Sequence, residues 1–207
     1  AAAAVRRARA EAAAAAAVVG MDTFACFCPL CSLLRLSCLC AAGGLVITDS
    51  PDLRTLAGLE GLESLGSLSI SDSPSLEDLS GLTALTSIEG DLTIDDVSSL
   101  SSLDGLSGIT AVGGVLTIED APQLTSLSGL SGLAGSLSLR LEGNDGLTDL
   151  VGLSGITALT SLELEDNDGL TSLAGLEGIT SIGSVVLDDN RALADLSGIA
   201  ASGTLGR

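Results

Sequence analysis

The sequence predicts a mainly β, β-helix-like solenoid of seven 23–24-residue coils, preceded by a short N-terminal helical or apolar segment. Two periodic markers predict it. Strand-like tripeptides recur as Leu45-Val46-Ile47, Leu68-Ser69-Ile70, Leu92-Thr93-Ile94, Leu116-Thr117-Ile118, Leu139-Arg140-Leu141, Leu162-Glu163-Leu164 and Val185-Val186-Leu187, at offsets of 23, 24, 24, 23, 23 and 23 residues. A glycine keeps step with them at Gly58, Gly81, Gly105, Gly129, Gly152, Gly175 and Gly198. Two markers holding one register over seven copies do not arise from composition. A third observation concerns the core: 46% of residues are hydrophobic, yet there are two Phe and no Trp or Tyr. Leu, Ile, Val and Ala must therefore fill the interior.

Two regions follow in chain order: residues 1–44, and the solenoid over 45–207. Residues 1–20 are nearly all Ala with Arg6, Arg7, Arg9 and Glu11, so a helix from Ala2 to Val19 is expected. The same Arg- and Ala-rich, acid-poor composition suits a targeting peptide, and a low-complexity tail with no address is the alternative. Residues 24–42 are apolar and hold Cys26, Cys28, Cys31, Cys38 and Cys40. They read as a targeting or anchoring segment, or as a disulfide-linked cap on the solenoid. As a membrane span the stretch is short, contains Pro29, and places Arg35 near its middle at roughly 2.5–3.5 kcal/mol. Zinc is a weaker reading, because C-x-C-x2-C-x6-C-x-C lacks paired C-x2-C knuckles and the chain has no His.

Each coil reads L-x-[IL], a polar stretch, then L-x-x-L-x-G-[LI]. Alternation turns the first and third tripeptide side chains to one face and the middle one to the other. The apolar residues at three-residue steps that follow suit tight turns or 3₁₀ segments. One coil cannot bury such a face alone; stacked coils bury it in ladders such as Leu53, Leu76, Leu100, Leu124, Leu147, Leu170 and Leu193. The glycine ladder implies positive φ or close backbone approach. A further tripeptide would fall near position 208, so either the sequence is a fragment with more coils beyond Arg207 or the last coil is an open edge suited to end-to-end self-association.

The stretch Gly90 to Leu106 fits G-x-L-x-I-x5-L-x-x-L-x-G-L, and in this it resembles the leucine-rich repeats of receptor L domains. Those occur in growth-factor receptor ectodomains and fungal cell-wall proteins. Leu159 to Asn167 also resembles the general L-x-x-L-x-L-x-x-N consensus, but the next Leu, Leu170, comes one place late, which favours the L-domain type. The resemblance covers 45–207 and implies a right-handed leucine-rich-repeat solenoid that binds proteins or stabilises surfaces. It also implies an extracellular or cell-surface location, with organelle targeting or the cytoplasm as alternatives. The repeats depart from the family in lacking cysteines and N-x-S/T acceptors.

The known register lets the outward ladders be read. The middle tripeptide row is Val46, Ser69, Thr93, Thr117, Arg140, Glu163 and Val186. The row after the tripeptide is Thr48, Ser71, Asp95, Glu119, Glu142, Glu165 and Asp188, followed by Asp49, Asp72, Asp96, Asp120, Gly143, Asp166 and Asp189. Coils stack about 4.8 Å apart, so neighbouring carboxylates repel by roughly 0.8 kcal/mol in a water-like dielectric. Asp95, Glu119, Arg140, Glu142, Glu163, Glu165 and Asp188 form the expected partner- or cation-binding face. A merely solvated surface is the plainer reading of it. For Asp49 to Asp189 the expectation is structural, with carboxylates accepting backbone N–H bonds in Asx turns. Asn144, Asn167 and Asn190 are read the same way.

Function classes narrow accordingly. From Leu45 onward there are 25 acidic residues against Arg54, Arg140, Arg191 and Arg207, a charge that repels nucleic acid and anionic membranes. Membrane contact is left to the N-terminal segment alone. Catalysis by a nucleophilic triad lacks its parts: no His, Lys or Tyr, and no cysteine within the repeats. Carboxylate pairs such as Asp95 with Glu119 exist, but no aromatic in the repeats stacks on a sugar and no coil breaks the pattern. No cofactor is expected, and without a compact D-x-D-x-D-G loop any calcium binding is weak and shared between coils. A protein-binding module with a basic partner is the leading expectation, a structural or surface-layer spacer the second. Ice binding suits a flat, unbroken Thr row, which Arg140 and Glu163 interrupt.

Overall fold

A computed structural model of the chain describes residues 43–199. The expected N-terminal helix, the five cysteines and the zinc and cap readings lie outside those residues. The described part is a β-solenoid, and every predicted tripeptide falls in a strand of one seven-stranded parallel sheet. In chain order the strands are β1 (Leu45–Ile47), β2 (Ser64–Leu65), β3 (Leu68–Ile70), β4 (Ser87–Ile88) and β5 (Leu92–Ile94). They continue as β6 (Ala111–Val112), β7 (Val115–Glu119), β8 (Gly135–Glu142), β9 (Ile156–Glu165) and β10 (Ser181–Asp188). The main sheet runs β1-β3-β5-β7-β8-β9-β10, and a second sheet runs β2-β4-β6. Partner residues in the main sheet are those of the sequence register: Leu45 with Leu68, Leu68 with Leu92, Leu92 with Leu116. Seven strands enclose about six turns, one fewer than the seven coils expected, because the last coil is described only to Ile199.

The packing follows from alternation. In β3 and β5 the first and third residues are buried and the middle one half-buried. Inward residues stack coil on coil, so Leu76, Leu100, Leu124 and Leu170 have no exposed surface, while Leu53 and Leu193 in the outermost coils are only partly covered. Truncating such a leucine to Ala costs about 2–5 kcal/mol. The three-residue apolar steps become 3₁₀ turns at Ser80–Leu82, Asp104–Leu106, Ser128–Leu130 and Ser197–Ile199.

The glycine ladder has a steric cause. A Cβ on Gly129 would overlap the carbonyl oxygen of Leu103 in the preceding coil, and Gly81, Gly105, Gly152, Gly175 and Gly198 meet equivalent carbonyls. Gly58, in the first described coil, meets nothing and is instead held at φ 109°. Both expected reasons for glycine therefore occur along one ladder. The second sheet is the feature that the tripeptide register does not reveal. Its short strands are separate through β6; beyond it the corresponding residues join the tripeptide in one long strand, with register shifts at Gly135/Ser136 and Leu137/Leu139 in β8.

Candidate acidic face

The acidic row is built by the ends of the main-sheet strands. Glu119, Glu142, Glu165 and Asp188 are the last residues of β7, β8, β9 and β10, and they pair in register: Glu119 with Glu142, Glu142 with Glu165, Glu165 with Asp188. Asp95 follows β5 directly, its N–H donating to the Ile70 carbonyl at 2.9 Å. Arg140 and Glu163 are partners in the middle row. All seven residues singled out from the sequence thus share one side of the solenoid.

Arg140 organises that side. Its Nε meets Glu119 Oε1 at 2.5 Å, one terminal nitrogen meets Glu142 Oε2 at 2.6 Å, and the other meets Glu163 Oε2 at 3.3 Å. One guanidinium therefore joins three coils, with all three of its nitrogens bonded to glutamates of its own chain and its charge shared among them. Asp120, one coil nearer the N-terminus than Arg140, and Asp95, two coils nearer, have no such neutralisation. Desolvation and then the charges of Glu119, Asp120, Asp72 and Asp96 hold the Asp95 pKa above its ordinary value. Desolvation followed by Asp96, Glu142 and Glu119 does the same for Asp120.

The adjacent Asp row has a different cause from the one expected. Asp49, Asp72, Asp96, Asp120, Asp166 and Asp189 all adopt left-handed backbone, with φ between 45° and 51°, and Gly143 holds the same place at 64°. Asp tolerates this conformation better than most residues and Gly adopts it without penalty, which fits a row built from these two. Backbone handedness, rather than Asx-turn acceptance, fixes the residue type. The asparagines behind them do bond as a ladder: Asn144 Nδ2 donates to the Ile118 carbonyl at 2.8 Å, and Asn144 Oδ1 accepts the Ala121 N–H at 3.2 Å. Asn167 and Asn190 repeat both bonds one and two coils on.

Beside this side runs an open groove of roughly 520 Å³ lined by Asp96, Asp120, Glu142, Asp145, Asp166 and Asp168, with Gly143, Ser98 and Pro122. Asp145 and Asp168 were not singled out from the sequence, although their spacing of 23 residues marks them as a ladder. Arg191 continues it, its guanidinium 2.6 Å from Asp168. Among the described residues no three carboxylates converge closely enough to share one metal ion. No buried side-chain polar atom there lacks a hydrogen-bond partner either. Nor is any helix there long and apolar enough to cross a membrane. No protein-family model matches the chain, and no curated protein matches it.

Proposed function

We propose that the solenoid is a non-catalytic interaction module that binds a basic protein partner through its acidic side. The observation that carries this reading is the register-paired row Glu119, Glu142, Glu165 and Asp188, extended by Asp95 and Glu163, with Arg140 as its one internal counter-charge. Like charges stacked at coil spacing oppose folding, and a partner's cations relieve that repulsion as they bind. The likeness of the repeats to receptor L domains supports a binding role at a cell surface or outside the cell. With no Trp, Tyr or free Arg at the centre, recognition is steered by charge and modest in strength.

A defined probe tests this: a synthetic Lys/Arg-rich peptide against a neutral peptide of equal length, titrated onto the full chain. The basic peptide is expected to bind selectively at low salt, to weaken as sodium chloride rises, and to weaken about tenfold on combined Glu142→Gln, Glu165→Gln and Asp188→Asn substitution. Equal binding of both peptides sinks the reading. The constant 23–24-residue repeat favours a second reading, a structural or surface-layer spacer stiffened by calcium. Under it, millimolar calcium raises the melting temperature beyond sodium chloride at matched ionic strength, and the basic peptide shows no preference.

A further inference from the structure

The two edges of the main sheet are built differently. β1 is three residues long, and its inward Leu45 and Ile47 stay buried although no described strand lies beyond it. β10 is eight residues long and joins β9 through seven register-paired residues, while among the described residues nothing pairs with its far side. Coverage fails there: Val185 and Leu187 are only half-buried, whereas Leu162 and Leu164, which hold the same places in β9, have no exposed surface. Leu196 is 48% exposed where Leu173, one coil earlier, is fully buried. Outward on the same edge, Val186 is 48% exposed, in a row that the inner coils fill with Ser, Thr, Arg and Glu. From Ser181 to Leu187 the strand carries no charge and no proline, the usual devices that keep an edge from pairing.

Backbone direction decides how such an edge can be filled. Leu45 and Leu68 hold the place of Val185 in their coils, and their N–H groups donate to carbonyls of the following coil, Ser67 and Asp91. By that pattern the N–H and C=O of Val185, and of Leu187 two residues on, point away from β9. We propose that β10 is a dimerisation edge, pairing antiparallel with β10 of a second copy and joining two solenoids tail to tail. A two-fold axis through Val186 lets Val185 of one copy exchange bonds with Leu187 of the other, inward apolar residue against inward apolar residue, with the two Val186 side chains adjacent on the axis. The same register sets Asp188 opposite Ser184 and Asp189 opposite Gly183, so no carboxylate meets another. Head-to-tail stacking would instead set Asp189 beside Asp49. The contact does not rest on the binding role of the acidic side and runs opposite to it in salt dependence. Each chain carries a net charge of −19, which holds two copies apart until salt screens it.

Sedimentation of the full chain across protein and salt concentrations tests this. A dimer is expected to grow with protein concentration and to strengthen as sodium chloride rises, where binding of the basic peptide weakens. Val186→Lys places like charges on the axis and is expected to weaken association about tenfold or more. Val46→Lys, at the opposite end, is expected to leave it unchanged. Oxidised Val186→Cys is expected to yield a disulfide between two copies of the peptide holding residue 186, since that pair faces itself at close range. A chain that stays monomeric at high salt, as covering of the edge by its own residues 200–207 would give, overturns the proposal. So does equal weakening by both lysine variants, the mark of a head-to-tail contact.

Discussion

Asp120 shows how one residue answers to two demands. Its backbone sits at φ 47°, which favours Asp, Asn or Gly, while its carboxylate is crowded by Asp96, Glu142 and Glu119. Asparagine meets the first demand and removes the second. Asp120→Asn and Asp95→Asn are therefore expected to raise stability at neutral pH, each by under about 1 kcal/mol because both carboxylates are only partly shielded from water. The sign follows from linkage. A carboxyl whose folded pKa is raised binds its proton more tightly when folded, so its ionisation destabilises the fold above that pKa. The penalty fades as pH falls through the raised value and is gone below the ordinary 3.8. Thermal melts at pH 7 and pH 3 check it: the variants should gain at the first and lose that gain at the second. Asp78 runs the other way, held low by the Ser80 hydroxyl and then its N–H, the latter 2.8 Å away, so its contribution is present at neutral pH and lost in acid. Gly129 makes a sharper case. Ala there must displace the Leu103 carbonyl, at about 2–3 kcal/mol, so Gly129→Ala should melt several degrees lower. The same change at Gly58 meets no neighbouring atom and strains only φ, so it is expected to do less harm.

Arg140 acts on three strands at once, since β7, β8 and β9 each present it a glutamate. Replacing it with Met keeps the stem that covers the sheet and leaves Glu119, Glu142 and Glu163 facing one another. Arg140→Met is expected to destabilise by about 1 kcal/mol in low salt and by less as salt screens the glutamates. A loss that does not shrink with salt would assign the role of Arg140 to packing instead. The strands around it also show what the sequence could and could not reveal. The tripeptide register located all seven main-sheet strands and brought Glu119, Glu142, Glu165 and Asp188 into one row, because stacking at a fixed repeat leaves no other arrangement. It could not show that Ser64–Leu65, Ser87–Ile88 and Ala111–Val112 form a second sheet. Two-residue strands carry too little alternation to be told from turns. The left-handed Asp row was visible as a pattern of Asp and Gly, but residue type alone does not separate a left-handed backbone from an Asx turn, since Asp serves both.

At the scale of the whole molecule, charge and repeat pull in opposite directions. Stacking buries the leucine ladders and at the same time lines carboxylates up at coil spacing, leaving a net charge of −19 over the full chain. The groove through Asp96, Asp120, Asp145, Asp166 and Asp168 concentrates that charge without gathering three carboxylates on one point. A diffuse field of this kind attracts any cation and coordinates none tightly, since calcium prefers six or more oxygen ligands at close range. Circular-dichroism melts of the full chain should therefore rise with sodium chloride. At matched ionic strength, calcium should add only the small excess that its double charge gives at a screened surface. A calcium rise several degrees beyond the sodium curve, abolished by combined Asp120→Asn and Asp166→Asn substitution, would show that neighbouring coils rearrange to complete a site. The acidic side would then be a metal-stiffened surface of a spacer. Parallel curves leave the repulsion unrelieved by any specific ion and available to a basic protein that bridges several coils, as the proposed binding role requires.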